Sequence, residues 1–179
     1  MALLSGTYAI DPYHSNVGFV VRHLMITKIH GYFRDFAATV TIDAENPENS
    51  HAEGTVQTAS IDTAIAPRDE HLRSDDFFSV ENYPEITFKT TKIDVKSEEK
   101  AVVTADLTIK GVTQPVEFDV DVKGVSENPL DESTRIGFSA TTTIDRTKWG
   151  IDFNAPLKTG GVLLSNEIEL VIDGSAVKQ

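Results

Sequence analysis

The 179-residue chain is 40% hydrophobic and 25% charged, ordinary proportions for a globular protein, and it has the length of one domain. Sixteen basic residues against 28 acidic ones leave a net charge of −12, which excludes a nonspecific hold on nucleic acid and argues against broad docking on anionic lipid. With no cysteine, the chain has no disulfides, no thiol chemistry and no cysteine-ligated metal.

Met1–Gly6 has neither the basic start nor the apolar stretch of a signal peptide. No run approaches the ~18 apolar residues of a membrane-spanning helix, so a cytoplasmic location is expected. From residue 16 onward the dominant pattern has period two, the mark of strands with one apolar and one wet face. Val17, Phe19 and Val21 alternate with Asn16, Gly18 and Val20; next, Tyr32, Phe36, Ala38, Val40 and Ile42 share one parity. Candidate strands follow over 55–63, 85–95 and 101–109. In the second of these the apolar parity flips around Thr90–Lys92, which predicts a β-bulge. Val116–Val122 alternates most cleanly, and Ile136–Ile144 and Val162–Ile172 complete eight strands. Turn-forming clusters separate them at 45–49, 96–100, 111–115 and 126–129.

Two segments leave the pattern. Residues 66–78 place Pro67 and the acids Asp69 and Glu70 where a helix start favours them, and Ser74 where it caps a second turn. A short helical insertion near 66–78 is therefore expected, with a lesser one over 148–151. Closing eight strands into an antiparallel up-and-down barrel removes the exposed edges that a sandwich keeps. The interior of such a barrel is just wide enough for side chains or one small ligand.

Chemistry is sparse. The sequence has no nucleophile elbow, phosphate loop, dinucleotide fingerprint or paired-histidine zinc motif. His14 and His23 are nine apart, which puts them on opposite faces of an uninterrupted strand. His23 shares the parity of Phe19 and Val21 and so faces inward at one end. No catalytic residue, metal or cofactor is expected.

Several blocks are familiar together: Ile10–Phe19, Val21–Leu24, Gly31–Phe36, Arg68–Phe78, Tyr83–Phe88, Leu107–Val116, Arg135–Ala140 and Ile144–Arg146. In this order they resemble the YceI-like family, over about residues 8–173. The resemblance implies a lipocalin-like eight-stranded barrel with a long apolar cavity. It also implies binding of polyisoprenoid chains, such as isoprenoid quinones or prenyl phosphates, without established catalysis; a homodimer is plausible by the same analogy.

On that basis the chain is read as one domain over 1–179 that carries or stores a long-chain lipid. Phe19, Val21, Phe36, Phe88, Phe138 and Leu164 are expected to line the tail cavity. His23, Arg68, His71 and Arg73 are expected at a mouth that meets a polar head, with Phe77, Phe78 and Trp149 as a lid. Two alternatives are an enzyme acting on a lipid-like substrate and a stress-linked interaction protein with a filled barrel.

Overall fold

The structure, a computed structural model, describes residues 3–179. Its strand segments are β1 (Gly6–Ile10), β2 (Asn16–His23), β3 (Thr27–Phe33), β4 (Phe36–Ile42), β5 (His51–Gln57), β6 (Ile61–Asp62), β7 (Glu85–Val95), β8 (Lys100–Ile109), β9 (Val112–Glu127), β10 (Thr134–Asp145) and β11 (Leu164–Lys178). Every pairing is antiparallel, and they join into one sheet that closes through β1 and β11.

These segments occupy eight strand positions, because three strands are each broken in two. β1 and β2 lie end to end along β11; β4 and β3 lie end to end beside them, and β5 and β6 follow. The breaks contain spare residues. Ala9 pairs with Thr39 and Val17 with Phe33, so eight residues on one side cover the height of six on the other. Likewise Phe33 pairs with Ile61 and Phe36 with Val56, three residues against five. The result is the eight-stranded up-and-down barrel expected.

The breaks correct the sequence reading in two places. Tyr32 and Phe36 do not share a strand or a face. The chain is interrupted at Arg34-Asp35, whose two amides both donate to the Ser60 hydroxyl. Phe33 is therefore the inward residue, while Tyr32 lies under the Arg34 guanidinium at 4.7 Å. The strand expected over 55–63 stops at Gln57; a 3₁₀ turn over Thr58–Ser60 interrupts it, anchored by the buried Thr58 hydroxyl donating to Tyr83 O.

Three boundaries also differ. β1 was too short to stand out by alternation. The turn placed at 111–115 is only Lys110-Gly111, both left-handed, and Pro115 sits within β9. Proline is tolerated there because the β9–β10 ladder begins only at Asp119, so its missing N–H breaks no bond on that side. β11 runs on to Lys178 and forms the seam with β1. The bulge expected near Thr90–Lys92 is present, with Thr91 as the extra residue.

The helix α1 spans Ala66–Arg73 and is shorter than the insertion predicted. Pro67 is in its first turn, while Asp69 is buried and accepts bonds from the Thr63 N–H and hydroxyl. Ser74 is extended and ends the helix, its hydroxyl donating to His71 O, and residues 75–78 continue as turn. A 3₁₀ turn over Arg146–Trp149 is the second insertion. The Asp145 carboxylate accepts from the Thr147 N–H at its start, and left-handed Gly150 ends it.

Candidate functional site

The barrel encloses a cavity of about 950 Å³. This is near the upper end of the 300–1,000 Å³ typical of small-molecule sites. The solid-core alternative is thereby corrected: alternation fills the walls with apolar side chains and leaves the axis open. Phe19 and Val21 on β2, Phe36 on β4, Phe88 on β7, Phe138 on β10 and Leu164 on β11 all lie on the cavity wall.

Three of these rings owe their position to glycine. Phe19 is paired across the ladder with Gly31, Phe138 with Gly174 and Phe88 with Gly54. A Cβ added at Gly31 or Gly174 would fall 2.2 Å from the ring carbon Cζ opposite, and one at Gly54 2.6 Å from Phe88 Cε1. Each ring thus lies over its partner's backbone, where any side chain would push it towards the axis. Sequence reasoning noted the phenylalanines but not the glycines, because the pairing registers were unknown.

One end of the cavity is crossed by α1 and the segment after β10. Phe77 and Trp149 are buried, and Trp149 Nε1 donates to Leu107 O at 3.0 Å. Phe78 packs edge-on against Phe33 at 5.6 Å. The His71 ring stands edge-to-face against Phe77 and Phe153, and its Nε2 is 2.8 Å from Asp76. The three residues expected as a lid all line the cavity at this end, Trp149 being bonded to β8.

Of the four mouth residues, His23, Arg68 and His71 reach the cavity lining. Arg68 also bonds the Thr63 hydroxyl and carbonyl. Arg73 is not part of the lining, a correction to the sequence reading: its guanidinium donates to Ala59 O and Ile61 O and fastens α1 to the broken third strand.

The sequence reading missed Arg146. It is 5% exposed and lines the cavity, as the three expected lid residues do. Its Nε donates to Ser165 O and its Nη1 to Ile151 O, but Nη2 has no hydrogen-bond partner among the described residues. Burial pushes the guanidinium's pKa down, against the pull of Asp145 and Asp152. A buried donor left unpaired is costly, which makes it a candidate for a ligand oxygen. The available signal was Arg146 on the inward parity of Ile144, in a block already seen as familiar.

The other conspicuous ionic cluster is part of the wall. Asp11 accepts from the Tyr13 N–H and contacts His14 Nδ1 at 2.9 and 2.8 Å, and it also pairs with Arg135. The Arg135 hydrogen bond, outweighing burial, holds the Asp11 carboxyl down at about 2. These groups close the β1–β2 break and satisfy one another. Among the described residues, no three His, Asp or Glu side chains converge as metal ligands, and no helix is long and apolar enough to cross a membrane.

Comparison with known proteins agrees with this architecture. A UPF0312 protein of Staphylococcus aureus strain USA300 is 41% identical over 162 residues, covering 90% of this chain and 92% of that protein. The Campylobacter jejuni YceI protein superposes with a TM-score of 0.77 at 32% identity, covering 88% of this chain and 90% of its own. Burkholderia cenocepacia BcnA gives 0.81 at 23% identity (93% and 98% covered). A Saccharophagus degradans domain described as polyisoprenoid-binding gives 0.70 at 15% (96% and 98%). Both of the last two share the fold. The YceI-like domain profile matches residues 8–176, almost the whole described barrel, and the chain belongs to that family.

Proposed function

We propose that this protein binds a long-chain amphipathic lipid of the polyisoprenoid class, an isoprenoid quinone or prenyl phosphate, as a carrier or reservoir rather than an enzyme. The observation that carries the reading is the cavity of about 950 Å³ walled by apolar side chains. The Saccharophagus degradans neighbour, described as a polyisoprenoid-binding domain, supports the same ligand class. The six wall residues named above would hold the tail. Arg146 Nη2, with His23 and Arg68, would meet an oxygen-rich head group.

Energetics favour such a tail. Each five-carbon isoprene unit contributes roughly 3–4 kcal/mol of gross burial. Eight units would surpass the practical affinity ceiling of about −18 to −21 kcal/mol, so ordering of the flexible chain must offset much of the gain. Affinity then follows tail length and fit more than head-group identity.

Mass spectrometry of organic extracts from the purified protein tests the reading. A stoichiometric prenyl lipid is expected. Absence of any such lipid, together with no binding in titrations with prenyl chains of about six to ten units, would overturn it.

A further inference from the structure

The 28 acidic residues are unevenly spread. Residues 12–34 hold none over 23 positions, and residues 153–166 hold none over 14; these are the two longest such stretches in the chain. The fold sets them side by side. The first forms β2, β3 and their hairpin turn, and the second is the loop leading into β11. The Leu24 N–H donates to Leu163 O at 2.8 Å, and a Cβ at Gly161 would lie 3.6 Å from Met25 Cγ.

The hairpin turn is unusual in its chemistry. Ile26 N–H donates to His23 O, so Leu24 and Met25 are the two central residues, and both are left-handed, at φ 53° and 65°. Hairpins with this backbone favour Asn-Gly, because branched or bulky residues are strained there. Here the turn carries two large apolar residues, 38% and 47% exposed, followed by Ile26 at 77%. Strain retained at an exposed apolar tip indicates a role other than folding. Beneath the tip, Val21, His23, Ile29, Leu163 and Leu164 line the cavity, so the tip projects from this end of the cavity wall.

We propose that the Leu24-Met25-Ile26 tip, with the 153–166 loop beside it, docks on a lipid bilayer surface and presents this end of the cavity to the membrane. The chain's net charge disfavours anionic lipid, but the acid-free rim formed by the tip and this loop is locally cationic. It bears Arg22, Lys28 and Lys158, with Glu167 and Glu169 at its flank and Lys28 3.6 Å from Glu169. A second copy docked tip to tip would instead set these cations against their own counterparts. Lipid exchange through the docked end rests on the ligand reading above; the docking does not.

Flotation of the full chain with phosphatidylcholine vesicles containing a minor fraction of phosphatidylglycerol tests this. The wild type is expected to float. The variant Leu24→Asn/Met25→Gly/Ile26→Thr is expected to lose about tenfold or more in vesicle partitioning while its Tm stays level or rises, since the turn relaxes. Leu130→Ser, which removes an apolar residue 92% exposed in the β9–β10 loop, is expected to float like the wild type. A wild type that stays with the buffer, or a tip variant that floats unchanged, would overturn the proposal. So would a wild-type dimer, without flotation, that the tip variant turns into a monomer. Titration of each protein with a soluble short-chain prenyl phosphate separates the two readings. Flotation lost by the tip variant while no prenyl chain binds any form supports docking and rejects the cargo.

Discussion

Strand β10 has an arginine at each end, and the two live in opposite circumstances. Arg135, near its start, pairs with the Asp11 carboxylate, a bond that raises its pKa. Arg146, just past its end, is buried against carbonyls and, among the described residues, one of its nitrogens is unpaired. The first pair completes the wall where β1 breaks from β2. The second leaves a buried donor unused in a residue of the cavity wall. A charged side chain thus points to function less by its presence than by what is left over after its neighbours have been satisfied.

Four measurements sharpen or break that contrast. The largest effect is expected from Arg146→Met. Affinity for a prenyl phosphate relative to the matching prenyl hydrocarbon should fall about 10- to 100-fold, the value of one or two charge-assisted hydrogen bonds. Using the ratio removes any general loss of stability. If Arg135→Met lowers the ratio as much as Arg146→Met does, or Arg146→Met leaves it unchanged, the contrast fails. Next, Asp11→Ala should cost about 2 kcal/mol of stability in urea unfolding, since three partners lose their acceptor. Prenyl affinity should be unchanged.

The third effect is acid sensitivity. The Asp11 carboxyl titrates at about 2 in the fold, below its ordinary 3.8. Its contribution is therefore fully present above about pH 4 and lost as pH falls through 2. Allowing for solvent screening, the stability gap between wild type and Asp11→Ala should shrink by about 1–2 kcal/mol between pH 5 and pH 2. A gap that stays constant would show that the carboxylate's charge is irrelevant. The smallest effect belongs to Gly31→Ala and Gly174→Ala, one beneath Phe19 and one beneath Phe138. Each should cost about 1 kcal/mol in stability through overpacking and reduce the longest prenyl chain accepted. Tolerance of long chains equal to the wild type's in both variants would mean that these rings do not set the bore.

Much of the wall was legible in the residues, because alternation reports which side of a strand faces the axis. Phe19, Val21, Phe88 and Phe138 follow from it directly. Local pattern cannot report how strands align with one another. The breaks at 11–15, 34–35 and 58–60 depend on side chains such as Ser60 bonding a backbone far along the chain, so Tyr32 was given the face that belongs to Phe33. Register likewise decides which glycine lies opposite which ring. The mouth was read from charge density over 68–76, a criterion that caught Arg73, which fastens a helix, and passed over Arg146, whose run Ile144-Asp145-Arg146-Thr147-Lys148 is less densely charged.

The barrel's seam has a consequence for how the molecule comes to exist. The first strand, β1 with β2, meets β11 along pairs that run from Tyr8–Lys178 to His23–Leu164, all separated by most of the chain. Such distant pairings form late, because a long loop must be closed before they return any stabilisation. Until they form, the interior is a groove open along one side. Formation of the site and completion of the fold are therefore the same kinetic event, and a ligand held only by the closed ring stabilises the native state by mass action. A chain folding among its ligands would close around one and open again more slowly than a chain folding without them.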